Sequence, residues 1–245
     1  MIDPVLAENE MLNWINRRSR GYVTPFTPTT IGAEAMTKWQ PAKWEDYLEY
    51  RDQQTSERLK LFFNQEYLFL DMGSEGINHA LFSNLFPILF FLWFSCTPGR
   101  TFRCLGRCLL EKPNLRAASP DLVFYVGENY PQWQEGETRR INLQQWRVPD
   151  LVGEVADTTL ASDLDEKKQL YAALKIPEYW VIDIQGERVL AFRLQEDGKY
   201  QQCEYSVVIE GLPIRLLEHT FKQLNLQGDY VSTAGQTHLI FVNIY

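Results

Sequence analysis

The chain has 245 residues, 45% of them hydrophobic, and a formal net charge of -8 with a pI near 5.0. That length and apolar content are enough to bury the core of one large domain. The acidic balance excludes a protein that coats nucleic acid over its whole surface, because such binding depends on Lys and Arg neutralising phosphates, so any contact of that kind must be local.

In chain order, residues 1–43 read as an N-terminal extension, marked by the Thr/Pro-rich piece TPFTPTT at positions 24–30. The acidic opening MIDPVLAENEMLN lacks the apolar stretch and cleavage site of a secretory leader, so a reducing cytoplasm is the simplest expectation. The pattern from Trp44 to Lys60 predicts a surface helix, and LKLFFNQEYLFLDMG two short strands turning at Asn64 and Gln65. Ala80 to Cys96 is strongly apolar but carries Ser83, Asn84 and Pro87 and is short for a bilayer span. It predicts a buried core helix, kinked or started late by Pro87, with no membrane association. In TFRCLGRCLLE, period-two alternation puts Arg103 and Arg107 on one face of a single strand.

After the turn KPNLRAASP, the runs DLVFYV and DLVGEVA read as buried strands. The polar loop between them is about twenty residues long, a length that suggests function. Ser162 and Asp163 are placed to cap a helix from Leu164 to Leu174, which Pro177 ends. EYWVIDI predicts another buried strand, Val189–Leu194 with Tyr200–Val208 a hairpin, and GLPIRLLEHTFKQL a closing helix. Residues 226–245 form a C-terminal tail whose LIFVNIY is apolar and β-prone. The four cysteines and three histidines show no short metal-ligand spacing, so structural zinc is not expected.

Two acids stand out. Asp121 opens the strand DLVFYV, and Glu154 lies inside an otherwise almost wholly apolar strand, where an unpartnered charge is expensive. Neighbouring strands lie about 4.8 Å apart, so acids on one face of two strands can share a hard cation that takes oxygen ligands; the Val155 carbonyl can add a third oxygen. Asp150 shares a face with Glu154, but residues four apart on a strand are about 13 Å apart. On the following helix, Leu164, Lys167, Tyr171 and Leu174 fall on one stripe, so Lys167 faces the sheet while Lys168 points further around. An amine there can balance the acids or orient an attacking water, or it is a surface lysine whose stem snorkels along the sheet.

The segments SPDLVFYV and VPDLVGEVADTTLASDLDEKKQLYAALKIPEYWVID resemble the Uma-type restriction-endonuclease family of the PD-(D/E)XK nuclease superfamily. The likeness spans roughly Phe62 to Leu224 and is specific from Pro149 to Asp183. It implies an α/β fold with a restriction-endonuclease-like core, a mixed central β-sheet flanked by helices, over residues 44–225. It further implies a Mg2+- or Mn2+-dependent endonuclease acting on DNA as a homodimer, with Asp121 and Glu154 as the motif's metal-holding acids. The superfamily lysine two residues after the second acid is Ala156 here, and Lys167 stands as its migrated counterpart. The chain also has Asp157 where the family commonly has Ser, Gln65 where it has Gly in the first turn, and His79 at a position often occupied by His.

Alternatives stay open at this point. Asp150 is a helper ligand, a supporting acid or a turn residue. Arg103, Arg107, Arg139 and Arg140, with Trp133, Trp146 and Arg147, combine bases and aromatics as strand-binding grooves do, or are simply solvated. Tyr171, Tyr179 and Trp180 read as core aromatics rather than substrate stackers. The acidic pI favours a rival function, a nuclease-fold interaction module without catalysis.

Overall fold

Buried apolar strands organise the computed structural model, which describes residues 38–52, 59–71, 76–97, 99–132 and 135–244. They fall within the compact unit Met36–Tyr245; the TPFTPTT piece and Trp133 lie outside the described residues. The central sheet has the order β12-β11-β10-β9-β7-β4. Its strands are β4 (Phe102–Gly106), β7 (Leu122–Val126), β9 (Leu151–Ala156), β10 (Glu178–Asp183), β11 (Arg188–Leu194) and β12 (Tyr200–Cys203). β9 and β10 run parallel and the other pairs antiparallel, so the sheet is mixed. A parallel pair needs a crossover, supplied here by α3 (Leu160–Leu164) and α4 (Glu166–Ala173).

A second six-stranded sheet, not anticipated from the sequence, has the order β1-β3-β2-β6-β5-β8. It contains β1 (Gln40–Pro41), β2 (Lys60–Asn64), β3 (Tyr67–Asp71), β5 (Leu109–Lys112), β6 (Arg116–Ala118) and β8 (Arg140–Asn142). β2 and β3 form the expected hairpin, and its turn holds Gln65 at φ 59, the left-handed region that favours the family's glycine. On its outer face this sheet packs under α1 (Trp44–Asp52) through Tyr47, Leu61, Phe63 and Leu70.

Helix α2 (Ile77–Cys96) covers one face of the central sheet. Its Phe86 and Phe90 pack on Trp180, and Phe90 on Phe124 at 4.7 Å. Among the described residues it is the one helix long and apolar enough to cross a membrane, and nearly half of it is buried inside the fold. It starts ahead of the expected Ala80 and contains Pro87 rather than starting there. The opposite face of the sheet meets α4 and the second sheet, with Val152, Val181, Leu170, Phe62 and Phe69 in one cluster. This middle layer holds the candidate site.

Several local expectations are corrected. α1 ends at Asp52 and Lys60 starts a strand, with 53–58 outside the described residues. TFRCLGRCLLE is not one strand: Arg107 has a φ of 53, which breaks the alternation, and β4 and β5 belong to different sheets, so Arg103 and Arg107 do not share a strand face. The expected turn KPNLRAASP contains β6, hairpinned to β5. Ser162 and Asp163 do not cap a helix at Leu164. They lie inside α3, which breaks at Asp165 (φ -119, ψ -88) before α4 begins. The β-prone C-terminus is instead α6 (Tyr230–Ile244), following α5 (Ile214–Gln227). Packing overrides propensity there: Phe241 meets Trp93 at 5.1 Å, and Thr237 and Thr220 share a buried hydrogen bond of 2.9 Å.

Candidate metal and catalytic site

Register places the acids. β7 and β9 pair antiparallel with Leu122 opposite Gly153, which sets Asp121 beside Glu154 one step further along. Gly153 permits this close pairing, since a Cβ there would come within 3.3 Å of the Leu122 side chain. Alternation turns Val152, Glu154 and Ala156, and likewise Asp121, Val123 and Tyr125, toward the middle layer. The Val155 N–H donates to Asp121 Oδ2 at 2.9 Å, and the carbonyl of the same residue points to the same strand edge.

Two ammonium groups meet these acids. Lys60, the first residue of β2, has its Nζ 2.5 Å from Asp121 Oδ1 and 3.8 Å from Glu154 Oε2. Lys167 of α4 lies 3.7 Å from Glu154 Oε2, 2.7 Å from Asp163 Oδ1 and 3.8 Å from Asp71 Oδ2, and sits 4.3 Å over the Phe62 ring. The structure therefore brings Asp121, Glu154 and Lys167 together, all three side chains no more than 2% exposed. Four carboxylates face two ammonium groups, a formal surplus of two negative charges before His79 is counted.

The surroundings orient each group. The Tyr171 hydroxyl donates to Glu154 Oε1, leaving Oε2 to the lysines. Asp163 accepts a hydrogen bond from the Thr159 hydroxyl at 2.7 Å, and its carbonyl accepts one from the Tyr179 hydroxyl at 2.8 Å. His79, in the first turn of α2, places Nε2 3.3 Å from Asp121 Oδ2.

Burial pushes the Glu154 carboxyl up to about 8 against the pull of Lys167 and Lys60, with the charges of Asp121 and Asp163 adding to the rise. For Asp121, burial works in the same direction but is outweighed by Lys60 and His79, which hold it well below the usual carboxylate range. Burial would lower both lysines, yet the acids around them prevail and raise them, Asp121 and Glu154 for Lys60, Glu154 and Asp163 for Lys167. Two carboxylates side by side thus differ: one stays ionised, the other holds a proton at neutral pH.

Other candidates fall elsewhere. Asp150 is at the far end of β9; its Oδ2 accepts from the Val126 N–H at 2.7 Å and its Oδ1 from Arg147 at 2.8 Å, so it ties down the loop rather than joining Glu154. Arg147 also donates to the Asn129 and Val126 carbonyls and stacks 4.9 Å over Tyr125, a structural use rather than a groove contact. Arg103 stacks 4.7 Å over Tyr130 and donates to its hydroxyl at 3.0 Å. Trp146 is partly buried against the core. Arg107, Arg139 and Arg140 line one concavity together with Lys60. Lys168 points away from the site, onto Phe192 at 3.8 Å.

Lys60 and Asp71 escape the sequence reading, Asp163 enters it only as a helix cap, and Tyr171 combines the expected core position with a direct hold on Glu154. The one signal for Lys60 was a charge heading an apolar strand, LysLeuPhePhe at 60–63. Among the described residues no three His, Cys, Asp or Glu side chains converge as a ready metal cage.

The sequence profile of a family described as "Uma2: Putative restriction endonuclease" matches residues 44–227. Among solved structures, one described as a "putative nuclease belonging to DUF820" from Anabaena variabilis is 14% identical, with a TM-score of 0.47 and a match covering 73% of this chain and 98% of that one. No curated protein matches the chain.

Proposed function

The chain belongs to the Uma2 family, and on that premise we propose that it is a divalent-metal-dependent endonuclease hydrolysing DNA phosphodiester bonds at Asp121, Glu154 and Lys167. The observation that carries this reading is that a single positive atom, Lys60 Nζ, lies within 4 Å of both acids, so the pair can address one cation.

The donor set fits a hard ion such as Mg2+ or Mn2+. Two carboxylates and the Val155 carbonyl are all oxygen donors, and the cluster's formal surplus of two negative charges matches a divalent charge. When bound, such an ion polarises the phosphate and lowers the pKa of a coordinated water.

The chain's own groups have separable tasks. Asp121 stays ionised and is ready to bind, whereas Glu154 must give up its proton to do so. Tyr171 fixes the Glu154 carboxylate through one oxygen. Lys167 keeps its proton because Asp163 and Glu154 raise its pKa, so it donates hydrogen bonds to water or phosphate rather than abstracting a proton. The homodimer implied by the resemblance belongs to the same proposal.

A supercoiled plasmid incubated with Mg2+ or Mn2+ tests the reading. Wild type nicks it in a cation-dependent way and Glu154→Ala and Lys167→Ala do not; equal nicking by all three contradicts the assignment. The second reading, an interaction module without catalysis, draws on the near-complete burial of both acids and the ammonium already lying between them. A wild type that binds DNA but never nicks it supports that module.

A further inference from the structure

If the acids receive a phosphodiester, a polyanion must approach a chain whose net charge is -8. A concavity among the described residues, next to the acids, reverses this sign. It encloses about 430 Å3 and is lined by Arg51, Lys60, Arg107, Arg139 and Arg140, with Asp52 as the one acid among its described lining residues. Its inner wall is part of the site itself, since Lys60 reaches Asp121 at 2.5 Å. Arg107 adjoins it too: the left-handed turn at this residue, φ 53, directs its N–H onto the Asp121 carbonyl at 3.4 Å.

The outer wall is built from the segment that enters β8. The Arg139 carbonyl accepts from the Leu109 N–H at 2.9 Å and the Arg140 N–H donates to the Thr138 carbonyl at 2.7 Å, so both arginines sit on anchored backbone, and Arg140 Nε also donates to the Thr138 hydroxyl at 2.7 Å. Arg51 is held by Asp52 at 2.8 Å and Glu111 at 3.1 Å. Arg51 is thereby largely neutralised, whereas the Arg140 guanidinium, held through Nε, loses little freedom on binding and keeps its terminal N–H groups for phosphate oxygens. Arg103, the remaining candidate contact, does not line this cleft and stacks on Tyr130.

We infer that this cleft is a subsite for the sugar–phosphate backbone of a nucleic acid strand, holding phosphodiester groups next to the one presented to Asp121 and Glu154. This rests on the nuclease reading for the identity of the reacting group, not for the binding itself. The recognition is of backbone charge and carries no base sequence.

Fluorescence anisotropy of a labelled 20-base-pair DNA duplex, and of the RNA duplex of the same sequence, tests the cleft in EDTA, where no cleavage intervenes. Wild type is compared with Arg139→Glu/Arg140→Glu and with Arg103→Glu, thermal melts confirming that all are folded. The double variant binds at least about tenfold more weakly at 0.1 M salt, and the slope of log K against log salt falls by about two, while Arg103→Glu changes affinity less than about threefold. Binding of DNA and RNA alike supports a backbone subsite, and preference for one polymer supports it and names the source. Affinity within twofold of wild type in the double variant, or no binding of either duplex by wild type, overturns the inference. Nicking assays separate the two readings: undiminished nicking and binding by the double variant sink the cleft alone. Cleft-dependent binding without any nicking by wild type sinks the nuclease reading alone.

Discussion

Two acids are set by β9, Asp150 just before the strand and Glu154 inside it, and the fold uses them in opposite ways. Asp150 is met by a main-chain N–H and a guanidinium that itself anchors a loop, so its oxygens are committed to holding structure. Glu154 is met by a tyrosine hydroxyl on one oxygen and by two ammonium groups, each more than 3.5 Å away, on the other. A carboxylate whose two oxygens are taken up by a main-chain N–H and a guanidinium is committed to structure, whereas one whose second oxygen meets only ammonium groups beyond hydrogen-bond distance keeps a coordination position that can be exchanged. The contrast matters because both residues occupy Pro-Asp or apolar-strand contexts that look equally suggestive in sequence.

The comparison predicts its largest asymmetry in activity. Glu154→Ala lowers the plasmid-nicking rate on the order of a thousandfold, while Asp150→Ala stays within about threefold; similar losses in both would erase the distinction. Lys167→Met, which keeps length and removes the charge, lowers the rate about a hundredfold, measured in the same assay on protein shown to be folded by circular dichroism. Retention of full activity in that variant would reduce Lys167 to a partner of Asp163.

Stability against pH sharpens the comparison further. The Glu154 carboxyl is raised to about 8 in the folded chain, against about 4.3 when unfolded. Between those values the folded chain keeps a proton that the unfolded chain has lost. The associated stabilisation is therefore complete below the unfolded pKa and is lost as pH rises toward 8. Asp121, with its pKa held low, acts oppositely: its contribution is present above the unfolded pKa and fails only as the solution becomes strongly acidic. Thermal melts of metal-free protein should fall by several degrees between about pH 5 and pH 8, and Glu154→Gln should flatten that fall. The smallest effect belongs to the other end of the strand: Asp150→Ala costs roughly 1–2 kcal/mol in denaturant unfolding through its lost hydrogen bonds.

Much of the central sheet could be read from the sequence because buried strands announce themselves as apolar runs, and a charge inside one, such as Glu154, is conspicuous. Lys167 was equally legible, since helical spacing alone turns it toward the sheet. Lys60 was not, because nothing local in Lys60–Asn64 shows that its hairpin belongs to a second sheet lying over the acids. The break at Asp165 and the left-handed Arg107 were hidden for a related reason: both depend on where distant elements dock, not on their own neighbours. The cleft formed by Arg51, Lys60, Arg107, Arg139 and Arg140 draws on four separate segments, so composition gave only its arginines and not their convergence. The C-terminal helix misled because Ile240, Phe241 and Val242 favour strands in isolation, while packing against α2 settles the matter.

The central claim is that Asp121 and Glu154 together hold one divalent ion. Calorimetric titration of Mn2+ into the metal-free chain near pH 7, repeated in two buffers of different protonation enthalpy, addresses it directly. One ion per chain should bind with release of a proton, because Glu154 must ionise to coordinate, and Glu154→Gln should weaken binding at least about tenfold. Binding that releases no proton and is unchanged in Glu154→Gln would contradict the account.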